Sequence, residues 1–146
     1  MPLVRVWIHF LWSTKNRQPL LSDEIRLKVF QHIRQNALEK GIFIDFIGGY
    51  VDHAHCLVSL GTDQTVEKTI QLIKGESSFW INRNKLCKPK FEWQDEYFAV
   101  SVSESVIDKV REYIKRQEEH HRKQSFEDEF ENFLVKAGFG KFPDKH

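Results

Sequence analysis

The order of apolar patterns along the chain restricts its possible folds more than any single motif does. Alternating branched and aromatic residues predict strands, and apolar residues at three- and four-residue spacing predict helices. In chain order the pattern predicts a strand at 3–12, a helix at 23–41, strands at 42–50 and 51–60, a helix at 65–84, a strand at 97–103 and a helix at 104–124. A polar tail that contains FEDEFENFLVKAGFG predicts a short fourth helix.

The first six elements have the split βαβ order of the ferredoxin-like, RRM-like α+β fold. This fold has an antiparallel sheet with two helices on one face, to which the chain adds a C-terminal helix. The 146 residues predict one domain over 1–146, with residues after about 124 as a C-terminal extension. We expect Gly48 and Gly49 to form a turn that ends the second strand, and Ile25, Val29, Ile33 and Leu38 to form the buried stripe of the first helix.

Composition excludes several classes of protein. The chain is 40% hydrophobic and 29% charged, as globular proteins are, and its net charge of +1 allows only local basic surfaces. No apolar run approaches the ~20 residues of a membrane span, and the N-terminus lacks the pattern of a signal peptide. Because Cys56 and Cys87 do not form a disulfide framework, we expect free thiols and a reducing cytoplasm.

Two histidines, His53 and His55, lie two residues apart in the third predicted strand. Side chains alternate along a strand, so both histidines project from one face, about 7 Å apart at a rise of ~3.3 Å per residue. The other face is apolar and should pack under the helices, which predicts that the histidine face is exposed. Two imidazoles in this arrangement can bind one metal ion, although they are also compatible with an ordinary polar surface.

The third predicted helix carries Tyr113 and Gln117, which lie one turn apart on one face. The Gln117 carbonyl oxygen can ligate a metal, and Tyr113 offers a phenol. The alternative is that Tyr113 extends an apolar stripe and Gln117 is solvated. Basic residues on this helix suit a phosphodiester substrate, but interleaved acidic residues also suit an ordinary solvated helix.

His53-Ala54-His55 in a strand, followed by Tyr113-x-x-x-Gln117 on a helix, resembles the single-tyrosine HUH transposase family. The segments LIKGESSFWIN and YIKRQEEHHRK add to a resemblance that runs from about residue 3 to about residue 138. This family contains the insertion-sequence transposases that act on single-stranded DNA and the REP-associated tyrosine transposases.

The resemblance implies that Tyr113 is the nucleophile and that His53, His55 and Gln117 bind a divalent metal, Mg²⁺ or Mn²⁺. It implies cleavage and rejoining of hairpin-bearing single-stranded DNA through a 5′-phosphotyrosine. It also implies a homodimer whose active sites can be shared between subunits, an expectation to which the hydrophobic length of the first strand adds. The alternative metal ligands nearby are Glu118, Glu119, His120 and His121.

Two basic loops are the best candidates for contacts with DNA phosphates. The segment NRNKLCKPKFEW carries Arg83, Lys85, Lys88 and Lys90, and the segment STKNRQP carries Lys15 and Arg17. Lys115 and Arg116, beside Tyr113, are further candidates. We expect at least half of the four tryptophans, Trp7, Trp12, Trp80 and Trp93, to lie in the core rather than to stack on bases.

Three other functions are compatible with the sequence. The chain could be a domesticated REP-associated nuclease, with the same chemistry but no mobility. It could be a non-catalytic ferredoxin-like module that binds single-stranded nucleic acid on its sheet, although the RRM's aromatic signature is absent. It could also bind metal without catalysis. Covalent trapping of DNA distinguishes the enzyme from the last two.

Overall fold

The computed structural model describes residues 2–121 and 125–136. Its antiparallel sheet has the strand order β2-β3-β1-β4. The strands are β1 (Trp7–Ser13), β2 (Phe43–Tyr50), β3 (His53–Ser59) and β4 (Phe98–Val102). Helices α1 (Asp23–Glu39) and α2 (Val66–Arg83) provide the two crossovers. This arrangement confirms the predicted ferredoxin-like α+β fold.

The C-terminal part of the chain is divided more finely than the sequence predicts. A single 3-10 turn at Glu104–Val106 leads into α3 (Ile107–Lys115), α4 (Gln117–His121) and α5 (Phe126–Lys136). The one helix expected over 104–124 is interrupted at Arg116, whose backbone leaves the helical region with φ −94° and ψ 18°. The part of that expectation that falls on residues 122–124 lies outside the described residues.

Helices α1 and α2 pack on one face of the sheet and form the larger core. Strand β3 contributes Ala54, Cys56 and Val58 to this core, as its alternation predicts. The prediction that Leu38 belongs to the buried stripe of α1 was wrong, because 61% of its surface is exposed and the neighbouring Ala37 is buried instead. Neither cysteine forms a disulfide, and no helix in the described ranges is long and apolar enough to cross a membrane.

The opposite face of the sheet is covered, and the prediction that it is exposed was wrong. Ile107 and Ile114 of α3 pack against Trp7 and Leu57, so the amphipathic helix forms a second core there. His53, on the same face as Leu57, has no exposed surface. The histidine face is therefore a buried polar layer between the sheet and the C-terminal helices.

Strand β1 lies in the interior of the sheet, where it pairs with β3 on one side and with β4 on the other. Its hydrophobic length therefore reflects burial on both faces and does not mark a sheet edge available to a second subunit. The edges of this sheet are β2 and β4.

Gly48 and Gly49 lie inside β2 and not in a turn, contrary to the sequence expectation. A Cβ atom on Gly48 would lie 2.8 Å from the backbone oxygen of Ile114, and one on Gly49 would lie 2.2 Å from the backbone oxygen of His53. The two glycines therefore let β2 approach α3 and β3 more closely than a side chain allows.

Gly48→Ala is expected to displace α3 and to lower stability by about 1–3 kcal/mol, the usual cost of overpacking. Because Ile114 follows Tyr113 directly in the chain, the displacement should also misplace the tyrosine. Urea denaturation measures the stability change. Gly75→Ala in α2 is the matched control, since a Cβ atom there meets nothing within 4 Å. A Gly48→Ala protein as stable as the wild type would contradict the close approach of α3.

Candidate active site

The structure brings the two histidines of β3 together with Gln117, the first residue of α4. The Nε2 atom of His53 lies 2.9 Å from Oε1 of Gln117, and both side chains are buried. The Gln117 amide is oriented by its Nε2 group, which donates to the backbone oxygen of Tyr113 at 3.2 Å. Its carbonyl oxygen therefore faces the histidine, as a metal ligand would.

The hydrogen bonds behind the histidines define which nitrogens face the site. Nδ1 of His53 lies 2.8 Å from a carboxylate oxygen of Asp52 and donates its proton to that oxygen, which leaves Nε2 on the side of the cluster. Nδ1 of His55 lies 2.9 Å from Nε2 of His9, a third buried histidine, which lies on β1. The Nε2 atom of His53 faces the Gln117 oxygen, and a cation bound by both atoms would use the ring nitrogen and the carbonyl oxygen as ligands.

Glu129 of α5 adds a buried carboxylate that the sequence analysis missed. Its Oε1 atom lies 3.1 Å from Nε2 of His55 and 3.5 Å from Nε2 of His53. Nothing in the segment FEDEFENFL distinguishes Glu129 from the acidic residues around it, because the helical pattern predicts a buried face but not its distant neighbours.

The donor atoms fit a divalent transition metal. Ligands bonded to one ion at about 2.0–2.2 Å lie roughly 3.0–3.5 Å from one another. Three donor-atom distances match this range closely. They are 2.9 Å from His53 Nε2 to Gln117 Oε1, 3.1 Å from His55 Nε2 to Glu129 Oε1 and 3.5 Å from His53 Nε2 to Glu129 Oε1. Imidazole nitrogens with carboxylate and amide oxygens are ligands that Mn²⁺, Fe²⁺, Co²⁺, Ni²⁺ and Zn²⁺ accept.

Burial sets the protonation states of this cluster. Burial lowers the pKa of His55 to about 4, against the opposing effect of the Glu129 charge. Burial and the neighbouring His55 also lower the pKa of His9. Burial alone would raise the pKa of Glu129, but the imidazoles of His121 and His55 that face its carboxylate hold this pKa well below its ordinary value. At neutral pH the buried His55 and His9 rings are therefore neutral and Glu129 is charged, which are the forms that bind metal and orient its ligands.

Tyr113 lies beside the histidines of its own chain. Its ring meets that of His55 edge to face at a centroid distance of 5.4 Å, and its hydroxyl donates a hydrogen bond to Oε2 of Glu129. Burial and the Glu129 charge raise the pKa of Tyr113 above its usual value, so the phenol keeps its proton at neutral pH. The described chain thus places a phenol next to a set of metal-capable groups.

The alternative ligands named from the sequence divide into two groups. Glu118 forms an ion pair with Arg26, and Glu119 is exposed, so neither joins the cluster. His120 and His121 both face Glu129, with Nε2 atoms 3.2 Å and 3.1 Å from its carboxylate oxygens.

The two basic loops lie side by side at the sheet end where β1 meets the first residue of β3. The backbone N–H of Lys15 donates to the oxygen of Glu92 at 2.9 Å, and the sulfur of Cys87 contacts the backbone oxygen of Leu20 at 3.5 Å. Ser13, which directly precedes this turn, pairs with His53. The exposed basic residues here are Lys15, Arg17, Arg83, Lys85, Lys88 and Lys90.

Lys115 and Arg116 are exposed between Tyr113 and Gln117. Arg116 also forms an ion pair with Glu112, 3.4 Å away on the same helix. The tryptophans belong mainly to the core, as expected: Trp7, Trp12 and Trp93 are buried. Trp80 is partly buried and stacks on His32 at a centroid distance of 3.9 Å.

The chain is similar to proteins of known family. A family model described as "Transposase IS200 like" matches residues 3–117. The ISDra2 transposase TnpA of Deinococcus radiodurans is 24% identical over 117 residues, which cover 75% of this chain and 81% of that protein.

Two solved structures share the fold. A transposase candidate from Deinococcus radiodurans has a TM-score of 0.65 at 21% identity and covers 80% of this chain and 93% of its own. A REP-associated tyrosine transposase bound to a REP hairpin has a TM-score of 0.62 at 15% identity. The match covers 83% of this chain and 72% of that chain. Tyr113 and Gln117 lie within the segment that the family model matches, whereas His121 and Glu129 lie beyond it.

Proposed function

Since the chain belongs to the IS200-like transposase family, we propose that it is a metal-dependent transposase that cuts and rejoins single-stranded DNA. The substrate in this proposal is the hairpin-bearing end of a mobile element, and the intermediate is a 5′-phosphotyrosine at Tyr113. The observation that carries the proposal is the contact of Tyr113, through Glu129, with the buried ligand cluster of His53, His55 and Gln117.

In this mechanism the Tyr113 oxygen attacks the scissile phosphorus, and the bond from phosphorus to the 3′ oxygen breaks. The products are a 5′-phosphate joined to Tyr113 and a free 3′-OH, so one phosphoester replaces another and no nucleotide cofactor is needed. A second 3′-OH later attacks the phosphotyrosine and releases the tyrosine. The phenol proton has an acceptor in place, because the hydroxyl already donates to Glu129.

His53, His55 and Gln117 would hold the divalent metal, and Asp52 and His9 would orient the two imidazoles. A bound divalent metal supplies polarisation of the scissile phosphate and offsets the charge that develops in the transition state. The protein's own contribution is to keep the ligands in one orientation in a buried layer, and to hold the phenol beside them.

The paired basic loops support a nucleic-acid partner. Exposed Lys and Arg side chains bind DNA phosphates without reading sequence. The adjoining loops at 15–17 and at 83–90 form a surface with six exposed basic residues, and Lys115 and Arg116 follow the tyrosine in the chain. We therefore assign hairpin DNA to this surface. A cytoplasmic location is part of the same proposal.

A homodimer also belongs to the proposal, with support from the family resemblance and from the two sheet edges, β2 and β4. Because Tyr113 contacts the cluster of its own chain, each subunit carries all the proposed catalytic groups. Sharing of active sites between subunits would require α3 to move.

A domesticated REP-associated nuclease is the second candidate, favoured by the likeness to the fold of the REP-associated transposase. The non-catalytic RRM-like module is disfavoured by packing. An RRM binds bases on an open sheet face, whereas α3 covers the corresponding face here.

Incubation of the purified protein with labelled hairpin-bearing single strands, read on a denaturing gel, tests the proposed function. With Mn²⁺ or Mg²⁺ we expect a shortened strand and a protein-linked strand that proteinase digestion releases, and EDTA should abolish both. The control substrate is a strand of the same composition whose stem sequence is scrambled, so that it cannot form the hairpin. DNA binding without any covalent product, in either metal, would favour the non-catalytic module.

A further inference from the structure

We propose that Glu129 and His121 bind the same metal ion as His53, His55 and Gln117. The inference rests on the proposed metal site and extends it. Both residues lie beyond the segment that the family model matches, Glu129 on α5 and His121 at the end of α4. The site would then have three imidazoles, one carboxylate and one amide oxygen.

The position of the Glu129 carboxylate is the first observation. Only 2% of its side chain is exposed, and Oε1 lies within 3.1–3.5 Å of Nε2 of His53, His55 and His121. Oε2 faces the hydroxyl of Tyr113. Its contacts in the described part of the chain are imidazoles and a phenol, so no Lys or Arg among the described residues neutralises this buried carboxylate.

His121 provides a second, independent observation. Its side chain is 2% exposed, and its Nε2 atom has no hydrogen-bond partner among the described residues. The Nε2 atom nevertheless points to Oε1 of Glu129, 3.1 Å away. A buried polar atom without a partner costs roughly 1–3 kcal/mol, and coordination to a metal would remove this cost.

The helix positions explain why His121 reaches the cluster. Tyr113, Gln117 and His121 follow one another at four-residue intervals. Although Arg116 interrupts the helix after Tyr113, all three side chains face the cluster. The His121 ring is held between two others: it stacks on Tyr50 with an interplanar angle of 16°, and it meets His53 at a centroid distance of 4.4 Å. This packing fixes the ring with Nε2 towards the carboxylate.

The extended ligand set changes the expected metal. Mg²⁺ prefers oxygen ligands and keeps several waters, whereas a site with three imidazoles and a carboxylate suits Mn²⁺, Co²⁺, Ni²⁺ or Zn²⁺. We therefore expect the full-length protein to bind Co²⁺ far more tightly than Mg²⁺ in the absence of DNA.

Equilibrium titration of the full-length protein with Co²⁺, without DNA, tests the two ligands. Calorimetry gives the affinity, and the visible absorption of Co²⁺ reports the coordination number. Glu129→Gln keeps the size of the side chain, and His121→Phe keeps a ring beside Tyr50. Each should weaken Co²⁺ binding at least about tenfold, since the loss of even an outer partner of a ligand costs 10–100-fold. Glu131→Gln, exposed on the same helix, is the control and should bind as the wild type does.

His53→Ala separates this inference from the proposed function. If His53→Ala weakens Co²⁺ binding while Glu129→Gln and His121→Phe bind normally with unchanged absorption, the extended site is wrong and the smaller site stands. If His53→Ala also binds normally, the proposed metal site itself fails. An effect in only one of the two variants overturns the assignment of the other residue. Circular dichroism confirms that each variant is folded.

Discussion

Tyr113→Phe is expected to bind hairpin DNA and metal as the wild type does, and yet to form no covalent adduct and cut no strand. The substitution removes one oxygen atom, the one that would bond to the 5′-phosphate. Loss of a nucleophile typically lowers the catalytic rate by about 10⁶-fold, so cleavage on a denaturing gel should fall below detection. The metal ligands and the basic loops are unchanged.

The stability of this variant should change little. The ring still packs edge to face against His55, and the substitution removes the hydrogen bond from the hydroxyl to Glu129. A typical intramolecular hydrogen bond contributes about 1 kcal/mol. Thermal denaturation measures this difference, which separates a chemical role of the oxygen from a role of the ring in packing.

Tyr97→Phe is the matched control, because Tyr97 is 39% exposed and precedes β4 rather than contacting the histidines. Tyr50 is a poorer control than its sequence position indicates, since its ring stacks on His121. Mass spectrometry of the trapped adduct identifies the residue that carries the nucleotide. A nucleotide on Tyr50 or Tyr97 would overturn the mechanism even if the protein cleaves DNA.

Local patterns were sufficient to predict the four strands, the first two helices and the face of β3 that packs under those helices. Helix α1 begins after Ser22 and ends before Lys40 and Gly41, and Gly41 adopts a positive φ of 76°. A positive φ at a glycine is the left-handed conformation that commonly ends a helix. The alternation in β3 likewise predicted which side chains pack under α1 and α2. Each of these features depends on residues that are neighbours in the chain.

Features that depend on distant packing could not be predicted in this way. The pattern of α3 predicts an apolar stripe but not that the stripe covers the histidine face, and so both histidines were expected on an exposed surface. Glu129 meets His55 across 74 positions of sequence, and nothing in its local pattern sets it apart. The sequence GG predicts a turn, but these glycines are needed because α3 and β3 leave no room for a side chain at either position.

His53→Ala and His55→Ala are each expected to abolish cleavage and to weaken metal binding. Each substitution removes an imidazole whose Nε2 atom faces the cluster, and no other side chain on β3 can replace it. The sequence alone suggests that the fold would be unaffected, because it predicts an exposed histidine face. The structure predicts otherwise, since both rings are fully buried.

Truncation of either ring therefore leaves a cavity and unpaired partners. In His53→Ala, the Asp52 carboxylate loses the hydrogen bond from the imidazole N–H. In His55→Ala, the buried His9 loses its hydrogen bond to the His55 ring. Each variant should be less stable by about 1–3 kcal/mol when no metal is present. Added metal should raise the unfolding temperature of the wild type but not that of the variants, because only a protein with an intact site gains binding energy.

His32→Ala distinguishes the loss of a buried ring from the loss of a ligand. His32 is a partly buried histidine on α1, and it contacts Glu76 at 2.6 Å and stacks on Trp80, both on α2. We expect this control to lose stability while it keeps metal-induced stabilisation and strand cleavage. Thermal denaturation with and without Mn²⁺, followed by the cleavage assay at a temperature where all three variants are folded, gives the comparison. Retained cleavage in His53→Ala and His55→Ala would remove both histidines from the catalytic site, whatever their effect on stability.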